Sequence, residues 1–105
     1  MNEAIAERDQ FRCVRCGTLV SGPGKAVHHR VLGNRKQNAA WNLILLCTPC
    51  HEWCHAHSEA ARKSGWIISR HAARPHLVAV RYDQPGRSGW FTLGADLTTS
   101  AGPVP

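Results

Sequence analysis

Apolar positions along this chain fall in short runs, none near the roughly 20 consecutive residues that a membrane-spanning helix needs. Over residues 2–11, Ala4, Ile5, Ala6 and Phe11 stand among charged side chains, which predicts a short amphipathic helix leading into Cys13. CVRCGT then reads as a tight turn whose glycine relieves backbone crowding, and SGPGK at 21–25 as a second turn. β-Branched Val27 and Val31 predict a short strand over 26–32, followed by a polar basic loop at 33–40, GNRKQNAA. WNLILLC (41–47) is an apolar extended segment, and Pro49 stands where the first turn of a helix accepts proline. CHEWCHAHSEAARK (50–63) has the composition of one helix, ending by Gly65. Three strand-like runs follow Trp66, the last two joined by a hairpin turn at DQPGRSG. GADLTTSAGPVP (94–105) is an expected disordered tail, and no internal repeat is visible.

At 105 residues the pattern implies an α+β fold in one piece with a thin core, so something besides burial should staple it. Residues 1–70 are expected to carry the chemistry, 71–93 to add strands, and 94–105 to trail. The opening MNEAIAERDQF carries acids and lacks the basic-then-apolar order of a secretory signal, so the expected compartment is the cytoplasm, with no membrane partner. Thirteen Lys and Arg against seven acids give a formal charge of +6. The sequence pI is about 9.6. That excess favours a polyanionic partner through counterion release, nucleic acid first; a merely solvated basic surface is the alternative.

The five cysteines fall as Cys13-x-x-Cys16 and Cys47-x-x-Cys50, with Cys54 left over. In a reducing compartment such pairs read as metal ligands, since four thiolates close a tetrahedral shell and the ion adds folding energy that a thin core lacks. A redox dithiol is the rival for CTPC, but it leaves the first pair without a purpose. Thirty residues separate Cys16 from Cys47, more than the roughly 15 to 20 of a plain zinc ribbon. The insert should therefore carry function. Cys54 is expected to be a small core residue.

The insert contains the doublet His28–His29 and Asn42, and beyond it His51 and His55 are four apart, on one face of the expected helix. Each histidine alone has a bland reading, and His57, His71 and His76 keep it. Four imidazoles attached to both arms of one thiolate staple suggest a second metal site. Neighbours in a strand face opposite ways, so one ring of the doublet can hold an ion while the other faces water.

The order Cys13-x-x-Cys16, VHHR, Asn42-Leu43, LCTPCH and a further histidine resembles the HNH nucleases, of the zinc-stapled kind common in bacteriophages. The likeness runs from about Phe11 to Trp66. It implies a ββα-metal (His-Me finger) core stapled by a four-cysteine zinc site, with a helix before it and strands after it. Carried over by position, His29 is the general base and His28 a metal ligand where many relatives have Asp. His51 is the opposing ligand, His55 an additional one, and Asn42 braces the loop and orients the base. The implied cofactors are structural zinc and a catalytic divalent ion: magnesium, manganese, nickel or zinc. Imidazole ligands favour the softer of these.

A phosphodiester repels its nucleophile, so cleavage needs a cation to offset charge and a base to take a proton; neutral histidine, with an unperturbed pKa of about 6.5, suits the second task. The expected activity is a DNA endonuclease or nickase leaving 5′-phosphate and 3′-hydroxyl ends. A non-catalytic zinc module that binds DNA or phage packaging proteins is the alternative. Arg30, Arg35 and Lys36 are candidate phosphate contacts, with Arg62, Lys63, Arg70 and Arg74 a second basic group. Trp41, Trp53, Trp66 and Trp90 are expected in the core around the metal sites. A monomer or weak homodimer is expected, in the host cytoplasm if phage-encoded.

Overall fold

The computed structural model describes residues 2–20, 26–31 and 38–102. The turn expected at 21–25 and most of the 33–40 loop, with Arg35 and Lys36, lie outside the described residues. Helix α1 spans Asn2–Arg8, shorter than the pattern suggested. Strand β1 (Ala26–His29) pairs antiparallel with β2 (Leu43–Leu46), placing His28 opposite Ile44 and His29 opposite Leu43. A 3-10 turn over Ala40–Asn42 delivers the chain into β2.

All four residues of β2 are buried, which explains its unbroken apolar run. Ile44 and Leu46 enter the main core, whereas Leu43 packs with Ile5 of α1 and Ala40. Successive side chains thus serve two layers, as strand geometry demands.

The single helix expected after Cys47 is two. Helix α2 (Thr48–Ala56) has Pro49 in its first turn; α3 (Ser58–Lys63) follows a break at His57. There the backbone turns to φ −126°, ψ 55°, and the ring stacks on Trp53, one helical turn back. Gly65, at φ +75°, ends α3; a Cβ there would run into the Ala79 carbonyl.

Of the three runs after Trp66, the first forms no strand. Ile68 makes only an isolated bridge to Val31, its N–H donating to the Arg30 carbonyl at 2.8 Å. The other two are β3 (Val80–Gln84) and β4 (Arg87–Leu93), joined by the two-residue turn Pro85-Gly86. The tail expected to be disordered forms a strand instead: β5 (Thr99–Ala101) pairs with β4. Its turn is built locally, because Asp96 accepts from the Thr98 N–H and hydroxyl while the Gly94 N–H bonds to Thr98.

The result is an α+β fold with two antiparallel sheets among the described residues. One cluster joins Cys13, Ile44, Cys50 and Trp66 to Val80, Tyr82 and Leu93. Trp41 and Trp53 pack against this cluster and Trp66 belongs to it, but Trp90 lies on β4 outside it.

A buried carboxylate adds a polar tie. Asp9, fully buried, accepts both bonds of the Arg8 fork, the Leu45 N–H at 3.0 Å and the Tyr82 hydroxyl. Gln84 adds bonds to the Asp9 and Arg12 carbonyls. One acid thereby joins α1, β2 and β3. No helix of the described residues is long and apolar enough to cross a membrane.

Candidate metal centres

The first cysteine pair sits on a turn closed by backbone bonds, with the Cys13 N–H donating to Thr18 at 2.8 Å and the Gly17 N–H to Cys13 at 2.9 Å. Gly17 is at φ +80°, and a Cβ there would meet Pro85 Cδ at 2.9 Å. Only glycine fits that contact with the hairpin turn. The second pair opens α2, Cys47 preceding it and Cys50 lying in its first turn.

The four sulfurs come within 4.8 Å of one another, a cluster able to bind a metal ion. Cys16 and Cys47 Sγ are 3.7 Å apart, far beyond the roughly 2.05 Å of a disulfide, and all five cysteines are free. Burial raises the Cys13 and Cys50 thiols above their ordinary pKa, the latter despite an N–H from Arg15 at 3.3 Å. Cys16, which burial would also raise, is lowered to about 7 chiefly by hydrogen bonds from Thr18. A cation among the sulfurs would draw the buried pair into the thiolate form. Cys54 lies outside the group, in the core, where burial raises it to about 11.

Beside this cluster lies a second group. His28 from β1 and His51 and His55 from α2 bring candidate ligand nitrogens within 4.8 Å of one another. His51 and His55 Nε2 are 3.2 Å apart, and the His28 ring centroid lies 5.1 and 5.8 Å from theirs. His28 is buried and donates Nε2–H to the Trp66 carbonyl at 2.8 Å, so its remaining lone pair is on Nδ1. Burial lowers His28 to about 4 and also lowers His51, leaving both neutral at pH 7.

His29, on the next strand position, is not part of that trio. Its Nε2 lies 2.9 Å from the amide oxygen of Asn38. Asn42 is fully buried, its side-chain oxygen accepting the Val31 N–H at 2.9 Å and its backbone oxygen the Arg30 N–H at 2.8 Å. It ties together the two ends of the segment between β1 and β2; the ring bond to His29 belongs to Asn38.

Arg30 requires a correction. Expected to touch phosphate, it is fully buried, donating to the carbonyls of Gly65, Trp41 and Val78, each at 2.8 Å. Strand alternation sends its stem inward beside His28, and three carbonyls compensate the guanidinium there. Arg62, Lys63, Arg70 and Arg74 are exposed. His57 stacks on Trp53, and His76 lies 6.3 Å from Trp41.

Two residues near these centres escaped the sequence reading. Asn38 stood in an undifferentiated polar loop. Arg15, between the first two cysteines, lays its guanidinium 3.8 Å over Trp53 while bonding Cys50; a charge inside a CxxC was its only signal. Comparison with protein-family models, curated proteins and solved structures finds no match.

Proposed function

We propose that the chain is a metal-dependent DNA endonuclease or nickase of the HNH class, with β1, β2 and α2 as its ββα-metal core. The observation that carries this reading is the meeting of His28, His51 and His55 nitrogens from a hairpin and the following helix, with His29 at the strand position after His28. Two adjacent positions of one strand thereby serve one ion and one water.

The donor sets suit two different ions. Four thiols match zinc in a closed structural site. Three imidazoles with no carboxylate match a borderline transition ion better than magnesium. Bound there, a divalent ion would offset charge on the phosphate and the departing oxygen. His29 accepts the proton of the attacking water at Nδ1 as the water oxygen bonds to phosphorus. The P–O3′ bond breaks, and the leaving oxygen takes a proton from solvent to give the 3′-hydroxyl. Exposed Arg62, Lys63, Arg70 and Arg74 would hold the DNA backbone with little base readout.

The test is digestion of supercoiled plasmid with magnesium, manganese, nickel or zinc, wild type against His29→Ala. The variant should keep DNA binding and its sulfur-held zinc while losing cutting. Equal nicking by both proteins would remove His29 from the reaction, and binding without cutting under every ion would favour a non-catalytic zinc module.

A further inference from the structure

We propose that Asn38 is the positioning residue for His29, its amide oxygen holding the ring as the Nε2–H tautomer so that Nδ1 faces the water. The inference rests on the reading of His29 as the base and adds to it a residue that no spacing argument singled out.

A neutral imidazole carries one N–H and one lone pair, and only the lone pair can take a proton. A carbonyl oxygen accepts and cannot donate. The 2.9 Å approach of Asn38 Oδ1 to His29 Nε2 therefore places the hydrogen on Nε2 and the lone pair on Nδ1. The bond also limits rotation of a ring that is only half-buried.

The anchoring of the neighbouring backbone makes this more than a surface contact. The Ala39 carbonyl accepts the Asn42 N–H at 2.9 Å, the Ala40 carbonyl accepts Arg8 Nη1 at 2.8 Å, and the Trp41 carbonyl accepts Arg30 Nη1 at 2.8 Å. Both arginines are themselves buried. Asn38 thus leads a stretch pinned at three successive carbonyls, and its side chain reaches the ring from a fixed base. Asn42 is committed elsewhere: its oxygen serves the Val31 N–H in the interior.

Asn38 is exposed and belongs to neither ligand group, so its replacement should spare folding and metal content. The experiment compares zinc-loaded wild type, Asn38→Ala and Asn38→Asp by nitrogen NMR of the histidine rings and by plasmid nicking. Wild type should show the Nε2–H pattern at His29. Asn38→Ala should show averaged ring nitrogens and a kcat lower by about 10- to 100-fold with KM little changed. Asn38→Asp keeps an acceptor and should restore the wild-type ring pattern and most of kcat.

An Nδ1–H pattern in wild type, or an Asn38→Ala protein with wild-type ring signals and kcat, would overturn the assignment. That failure differs from failure of the nuclease reading, in which wild type and His29→Ala cut alike whatever stands at position 38. If neither cuts at all, the nuclease reading fails, and the ring-nitrogen pattern alone then decides whether Asn38 holds the His29 tautomer.

Discussion

His28 donates Nε2–H to the carbonyl oxygen of Trp66 at 2.8 Å, tying β1 to the stretch that follows α3. The bond satisfies the buried side of the ring and fixes its tautomer, so one contact serves both folding and the orientation of a candidate ligand.

A pH dependence follows from its burial. The folded chain holds His28 neutral down to about 4, against an ordinary value of 6.5 in the unfolded chain. Between these values the unfolded state binds more protons, so the contribution of His28 to stability levels off above about pH 6.5 and is lost as pH drops toward 4. From pH 7 to pH 5 this residue should cost about 2 kcal/mol. His28→Gln, which keeps a donor for Trp66, should lack that component. Denaturant titration of both zinc-loaded proteins without added second ion checks it; equal acid sensitivity would clear His28.

Removing a sulfur tests the staple. A structural zinc site contributes on the order of 10 kcal/mol, comparable to the whole stability of a domain this size. On the proposed zinc-site reading, wild type should hold about one zinc per chain, and Cys47→Ser should lose it together with the cooperative thermal transition. Metal analysis beside circular dichroism reads both. A variant that melts as wild type without zinc would overturn the staple.

Asn42→Ala should leave the buried Val31 N–H without its side-chain acceptor. Such a loss costs about 1–3 kcal/mol, with roughly 4–8 °C of Tm for each kcal/mol in a domain of this size. On the proposed nuclease reading, cutting should fall with it, because the brace closes the segment between the two strands. An unchanged Tm would mean that the bond contributes nothing.

The buried and exposed arginines should separate cleanly. Arg30→Met strands three carbonyls in the interior and should cost about 3 kcal/mol or more. On the proposed DNA-binding role, Arg62→Ala should leave Tm nearly unchanged and reduce the salt slope of DNA binding by about 1. Binding isotherms at several salt concentrations, with thermal melts, distinguish the two. A salt slope unmoved at Arg62 would exclude it as a phosphate contact.

The gathering of candidate ligands was legible because spacing carries it: CxxC places two sulfurs on one turn, and a four-residue interval places His51 and His55 on one helix face. The burial of Arg30 was not, since charge suggests a surface position and only three distant carbonyls reverse that. Nor was Asp9, whose partners lie on β2 and β3 as well as on its neighbour Arg8. Strand β5 was hidden because Gly, Thr and Ser read as a loop until β4 offers an edge. The break at His57 depends on a ring stacking back on Trp53, which helix composition does not encode.

The exposed tip at Pro85 and Gly86 is an inviting place to splice in a foreign epitope. The contact at Gly17 argues against it, because Pro85 Cδ stands 2.9 Å from where a Cβ would sit on the sulfur-bearing turn. A graft there would lean on that turn from outside and disturb the placing of Cys13 and Cys16, so inserts belong elsewhere on the surface.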